Sequence, residues 1–482
     1  MPFNSYYYIM FFLPIVAVYL ILRKTSAVPA GKAWLVLASL YFYGFMNFSF
    51  VPLILFSIIV NYFFGILLDG NTKGKLSRRS VLVFGISFNL GLLIYFKYTN
   101  FLLVNINELF NINIPALQII LPLAISFFTF QQIAYLVDKS KGEIKENNFL
   151  NYCLFVTFFP KLIAGPIVYY NEMMPQFARS GKKIFTYKNL SYGIFLVSIG
   201  LFKKIAIADS FAVYADRGFE ITESLSFCDA WITSLSYTLQ IYFDFSGYTD
   251  IALGSAYFFN IKLPINFDSP YKSLNMQEFW RRWHITLGRW LMKYLYIPLG
   301  GSHCSNLRTY FNLLATFILC GLWHGAGWTY LAWGGMHGLG IIVCRMWHGI
   351  GVKLPKVVSW GITFLYVNCA WVLFRAEHFS DAIKVFKGML SFETIELSSS
   401  LSELSSLLKD SETSLDALFK IVAGDAGSII YVLIGIMVCL AFKNSLEIMK
   451  KLNWRWAIGA ALIAVLSLML ISKESPFIYF QF

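Results

Sequence analysis

The sequence predicts an all-α, polytopic integral membrane protein, and three observations carry that class. Of its 482 residues, 57% are hydrophobic and 13% charged, whereas a soluble domain carries roughly a quarter charged residues. Its mean hydropathy is +0.61. Apolar stretches of a length that approaches or crosses a hydrocarbon core of about 30 Å recur from one end to the other.

In order, those stretches occupy 6–22, 33–44, 50–68, 81–95, 117–137, 149–170, 190–208 and 230–258, then 309–323, 329–344, 357–373, 428–442 and 457–471. The stretch at 149–170 is interrupted by Pro160-Lys161 and Gly165-Pro166, and several others are short or broken. The expectation is about 11 transmembrane helices, with re-entrant or interfacial helices among them. No Lys or Arg precedes the first stretch, and Arg23-Lys24 follow it directly, so it is expected to be a retained span rather than a signal peptide. Cytoplasmic loops attract Lys and Arg. That places Arg23 to Lys32, the cluster Lys73, Lys75, Arg78 and Arg79, and the run Lys443, Lys450, Lys451 and Arg455 on the cytoplasmic side. Both termini are then extracytoplasmic and the number of crossings is odd.

The net charge of +13 needs little beyond this pattern. Cations at span ends set topology and meet the headgroups of membrane lipids, and with no basic low-complexity tail the chain is not expected to bind nucleic acid. The segment 392–428 differs, with seven acidic residues against Lys409 and Lys420 and repeated Ser-Leu steps. It is expected to be an acidic extracytoplasmic insertion, either a solvated loop or a docking surface. The seven cysteines are spread over apolar segments without a Cys-x-x-Cys pair. Cys320 to His324 and Cys344 to His348 have metal-ligand spacing on a helix, but Trp323 and Gly325 suit tight packing around His324, so no metal site is expected.

Six histidines occur in the chain. His324 closes the uncharged run 309–323, within Cys320-Gly-Leu-Trp-His-Gly-Ala-Gly-Trp328. An ionisable imidazole in lipid-spanning sequence is a functional-site candidate. The stretch Asn275 to Tyr294 is expected to be one helix ending before Pro298 and Gly300-Gly301. At 100° per residue it carries Arg282, Arg289 and Lys293 on one stripe, opposite Trp280, Trp283, His284, Leu287, Leu291 and Tyr294. Such a helix suits the interface or a water-filled funnel, and His284 projects from its aromatic face toward the protein. Asp244 and Asp250 lie among aromatics in Tyr242-Phe-Asp-Phe-Ser-Gly-Tyr-Thr-Asp-Ile-Ala-Leu-Gly254. Each carboxylate must pair with something: a histidine, a cation of the Arg281 to Arg289 group, or the free N–H groups of a broken helix. Gly247 and Gly254 permit a close helix approach. His303, His348 and His378 fit loop or interfacial positions, and His337, among glycines, either packs helices or lines a tunnel.

Phe158-Phe-Pro-Lys-Leu-Ile-Ala-Gly-Pro-Ile167, the Tyr242 to Gly254 run, Phe279-Trp-Arg-Arg-Trp-His284, Tyr294-Leu-Tyr-Ile-Pro-Leu-Gly-Gly301 and Gly321-Leu-Trp-His-Gly-Ala-Gly-Trp328 together resemble the membrane-bound O-acyltransferase family. The Tyr294 to Gly301 run and the ending Ser475-Pro-Phe-Ile-Tyr-Phe-Gln-Phe482 look most like its alginate and peptidoglycan O-acetyltransferase branch. The resemblance implies one membrane domain over 1–482, with a motif core about 120–345, as a ring of tilted helices around a thinned funnel and tunnel. It implies a cytoplasmic acyl donor, acetyl-CoA or a similar thioester, with no other cofactor bound, and an extracytoplasmic acceptor. It assigns His324 as catalytic and places His284 on the same channel.

Moving an acetyl group from a thioester to a hydroxyl requires a base near the attacking oxygen and donors for the developing oxyanion. His324 is expected to deprotonate the acceptor, with His284 either orienting it or polarising the thioester carbonyl. Arg281, Arg282, Arg289 and Lys293 are expected to attract the phosphorylated donor, with Trp283, Trp323, Asp244 and Asp250 as further tunnel or binding residues. The branch commonly works with a separate extracytoplasmic acetyltransferase, so that partner is implied too. Two other readings stay open: a D-alanyl transferase of the same family using a carrier protein, and a transporter or flippase with polar groups in broken helices. Abundant Lys, Ile, Phe and Asn point to an AT-rich bacterial genome and hence to the inner membrane.

Overall fold

The computed structural model describes residues 1–24, 27–69, 77–178, 186–221, 223–392, 426–471 and 477–478. Most of the acidic segment at 392–428, Lys73 and Lys75, and all but Phe477 and Ile478 of the C-terminal run lie outside the described residues.

Every regular element among the described residues is helical. The first group is α1 (Tyr6–Lys24), α2 (Val28–Gly44), α3 (Phe50–Asp69), α4 (Arg78–Leu93), α5 (Thr99–Phe110) and α6 (Ile125–Ser140). Short helices α7 (Phe149–Thr157), α8 (Phe159–Leu162) and α9 (Tyr170–Ala178) follow, then α10 (Tyr187–Phe202), α11 (Asp209–Asp216) and the long α12 (Phe227–Phe258). After α13 (Met276–Arg282) and α14 (Ile285–Leu291) come α15 (Asn306–His324), α16 (Trp328–Ile350), α17 (Lys356–Arg375) and α18 (Phe379–Met389). The remainder is α19 (Ala426–Ala441), α20 (Ser445–Met449) and α21 (Trp454–Leu470).

Small polar residues start many of these helices by accepting a first-turn N–H. Ser77, Asn148, Thr186, Ser226, Asn275 and Ser305 each do so. Four π-turns, at Ile94–Tyr98, Lys203–Ala208, Arg217–Ile221 and Met292–Tyr296, join or extend helices, and each contains a Lys or Arg. Through them Arg78–Phe110 and Tyr187–Glu220 run as single long helices.

Among the described residues, five helices are long and apolar enough to cross a membrane: Tyr6–Lys24, Phe50–Asp69, Arg78–Phe110, Tyr187–Glu220 and Lys356–Arg375. Their outward faces carry bare apolar side chains such as Met10, Phe63 and Val357, which only a lipid environment tolerates in such numbers. The multi-pass membrane class of the sequence reading holds, but fewer segments are clean spans than the expected count. The stretch 117–137 is helical only from Ile125, and 149–170 is two short helices and an extended link, because Pro160 and Gly165 interrupt the ladder.

The core is organised around α12, whose residues 236–257 are all buried. Gly193 and Gly200 of α10 face Gly254 and Gly247 of α12, so two spacings of seven run antiparallel. A Cβ on Gly200 would lie 2.6 Å from the Gly247 carbonyl oxygen and one on Gly254 2.8 Å from that of Gly193. Only hydrogen at these four positions lets the backbones meet.

Candidate active site

His324 is the last residue of α15, and the chain leaves the helix through Gly325 in extended conformation. The position of α15 is set by α16. A Cβ on Gly321 would lie 2.1 Å from the Tyr330 carbonyl oxygen, and one on Gly334 2.3 Å from that of Phe317, so both must be glycine for the pair to close. The His324 side chain is buried, ringed by Trp323 at 4.8 Å, Trp333 at 5.2 Å and Phe374 at 5.2 Å between centroids. A cavity of about 90 Å³ lies against it, lined also by Lys97, Ser126, Phe127, Ile163 and the 121–125 backbone.

His284 reaches the same place from a different element. The expected single helix over Asn275 to Tyr294 is broken: α13 ends at Arg282, Trp283 is extended, and His284 sits at φ +42° and ψ +52° before α14 begins. Histidine is among the residue types that tolerate this left-handed region. The break is held by the buried loop before α13. Asn266 accepts the Ile285 N–H on its backbone oxygen at 3.0 Å and the Thr286 hydroxyl on its side chain at 2.6 Å, and Asp268 N–H donates to the Arg282 carbonyl at 3.0 Å. The kink aims the imidazole inward, fully buried, edge-on to Phe245 at 4.8 Å.

The two imidazoles lie side by side, with ring centroids 6.4 Å apart and planes at 64°. Neither nitrogen of His284 has a hydrogen-bond partner among the described residues. A single oxygen accepting or donating at about 2.9 Å to each ring fits a separation of this order. Buried polar atoms are normally paired, and His284 departs from that beside a second imidazole. Among the described residues no cluster of three or more His, Cys, Asp or Glu could hold a metal.

The remaining sequence candidates divide. Trp323 stacks on Phe130 at 5.1 Å and meets His284 at 6.3 Å, so it walls the site. Trp283 packs with Trp371 at 4.8 Å, Phe267 and Phe279, in an aromatic layer beside the histidines. Asp244 and Asp250 pair neither with a histidine nor with the arginines. Lys204 meets Asp244 at 2.6 Å and Lys203 meets Asp250 at 2.7 Å, both lysines coming from the π-turn after α10. Asp244 also accepts the Ile478 N–H at 3.2 Å, tying the C-terminal segment to α12.

The basic stripe is largely compensated. Arg282 pairs with Glu278 at 2.9 Å, Arg289 with Glu172, and Lys293 with Asp138 at 2.9 Å and Glu143 at 3.0 Å. Arg281 is exposed and has no ion pair among the described residues. His337 is a packing residue with one open atom: its Nδ1 accepts from Trp280 Nε1 at 3.1 Å, and its ring lies parallel to Phe279. His378 starts α18, where its N–H donates to Asp381.

Sequence reasoning missed Lys97 and Ser126, which share the cavity with His324. A lysine at the end of the apolar run 81–95 resembles a topology signal, so nothing local separates it from the others. Lys203-Lys204 were missed as partners too, although two adjacent lysines inside the run 190–208 are a visible signal.

The membrane-bound O-acyltransferase family model matches residues 138–376, which contain both histidines. The chain is 44% identical to a peptidoglycan O-acetyltransferase of Helicobacter pylori, over 100% of this chain and 97% of that protein. It is 38% identical to the "Probable alginate O-acetylase AlgI" of Pseudomonas aeruginosa, over 83% of this chain and 76% of that one. A teichoic acid D-alanyltransferase of Bacillus subtilis is 30% identical over 46% of this chain and 58% of its own length. Full-length identity of that size, together with paired imidazoles inside the matched region, identifies the chain as an acyltransferase that belongs to the membrane-bound O-acyltransferase family.

Proposed function

We propose that this chain moves an acetyl group from a cytoplasmic thioester, acetyl-CoA or similar, across the membrane toward hydroxyls of an extracytoplasmic polysaccharide of the peptidoglycan or alginate type. The observation that carries the reading is the pair of buried imidazoles, His284 facing His324 at 6.4 Å between ring centroids, with His324 lining a small cavity that Lys97 and Ser126 also line. His324 takes the proton of the attacking hydroxyl, and the neighbouring His284 orients that hydroxyl or polarises the thioester carbonyl. The C–O bond of the ester forms as the C–S bond breaks, and the proton on His324 is available to the leaving thiolate.

The whole chain acts as one membrane domain in the bacterial inner membrane, with both termini extracytoplasmic and the full set of about 11 crossings made up by the shorter helices. Because carboxylates already meet Arg282, Arg289 and Lys293, attraction of the donor phosphates falls first to Arg281. The acetyl group passes to a separate extracytoplasmic acetyltransferase for delivery. The likeness to D-alanyltransferases over about half the chain favours a second reading, in which an alanyl group arrives on a carrier protein. The mass of the group transferred in proteoliposomes separates the two. In the same assay His324→Ala, inserted normally, is expected to lose at least about 10²-fold in transfer, and undiminished transfer contradicts the base assignment.

A further inference from the structure

The end of α15 is capped by a distant element. A helix leaves its final carbonyls without intrahelical donors, and inside a membrane water does not supply them. Here Tyr98 Oη donates to the Leu322 carbonyl at 2.7 Å, and Lys97 Nζ donates to those of Trp323 at 2.7 Å and His324 at 2.8 Å. Three successive carbonyls, the last belonging to the histidine itself, are held from the π-turn Ile94–Tyr98. The ammonium also faces Ser126 Oγ at 3.5 Å and lines the cavity beside His324. A cation at a helix C-terminus is favourably placed against the negative end of the dipole. Its protons address backbone oxygens, where a lysine that sets topology would address headgroups.

We propose that Lys97, assisted by Tyr98, is the positioning residue for His324: by gripping the carbonyl from which the base projects and the two before it, it fixes where the imidazole stands relative to the cavity. This rests on the reading of His324 as the base. Both residues act on the backbone of the helix end, so the effect is on geometry, and a displacement of about 1 Å at a reacting group costs about 10²-fold.

The test uses the full chain in proteoliposomes, with acetyl-CoA as donor, a soluble glycan fragment as hydroxyl acceptor and release of free CoA thiol as readout. Lys97→Met is expected to lower kcat about 10²-fold while leaving KM for acetyl-CoA within about twofold. Lys97→Arg, which can still donate to the same carbonyls, is expected to recover most of that loss. Tyr98→Phe removes one hydroxyl only, and about a tenfold fall in kcat is expected. The Tyr98 variant also decides the matter if Lys97→Met does not insert. Wild-type kcat in Lys97→Met, a change confined to KM, or, where Lys97→Met does not insert, wild-type kcat in Tyr98→Phe overturns the proposal. An active His324→Ala run alongside sinks the base reading, whereas an inactive His324→Ala beside a fully active Lys97→Met sinks the positioning role alone.

Discussion

Asp244 and Phe245 are neighbours on α12, yet they serve two buried polar clusters built to different rules. Asp244 belongs to a set of ion pairs, with Lys204 shared between it and Asp209, and Lys203 on Asp250 nearby. Phe245 packs against His284, which keeps both nitrogens without a partner among the described residues and faces His324, and His324 in turn lines a cavity. In the first cluster every carboxylate meets a lysine, and Lys204 serves two of them. In the second, His284 has hydrogen-bonding capacity that no described residue uses. Burial alone marks neither as functional; the two clusters differ in that one is held by ion pairs and the other places two imidazoles side by side.

Breaking the first cluster should damage the fold. Lys204→Met leaves Asp244 buried without its cation, and a loss of about 3–5 kcal/mol is expected, since removing one partner strands the other charge. The measurement is thermal unfolding of purified protein in detergent, and the double change Lys204→Met with Asp244→Leu should regain much of the loss. If the single change leaves the midpoint where it was, the pair is not structural. Breaking the second cluster should leave the fold intact. His284→Ala is expected to lower kcat about 10²-fold at an unchanged unfolding midpoint, and a fall in stability with normal turnover would reverse the comparison. The smallest effect belongs to the surface. Arg281→Ala is expected to raise KM for acetyl-CoA a few-fold with kcat unchanged, more so at low salt, and a salt-independent KM equal to wild type would remove Arg281 from donor binding.

The sequence made the scaffold class and one histidine legible and hid most of the geometry. Apolar runs and their punctuation by Ser, Thr and Asn give the helices directly, and Gly247 and Gly254 announced the close contact that Gly200 and Gly193 complete. His324 stood out because an imidazole in uncharged sequence has no routine explanation. The break at His284 was hidden because no glycine or proline marks it. It is imposed from outside by Asn266, which captures Ile285 and Thr286 and overrides the local helix pattern. Lys97 was hidden for a related reason: its π-turn acquires meaning only against the end of α15, where its partners stand 226 and 227 residues away in sequence. The stripe of Arg282, Arg289 and Lys293 was visible, but its neutralising carboxylates at Glu172, Asp138 and Glu143 arrive from α9, α6 and the turn after α6.

The central claim is that the paired imidazoles carry the transfer while the lysine and aspartate pairs carry the fold. The most direct measurement is transfer from labelled acetyl-CoA by full-length His324→Ala in proteoliposomes, together with its unfolding midpoint in detergent. The account predicts transfer at least about 10²-fold below wild type with an unchanged midpoint. Wild-type transfer by a correctly inserted His324→Ala would contradict it.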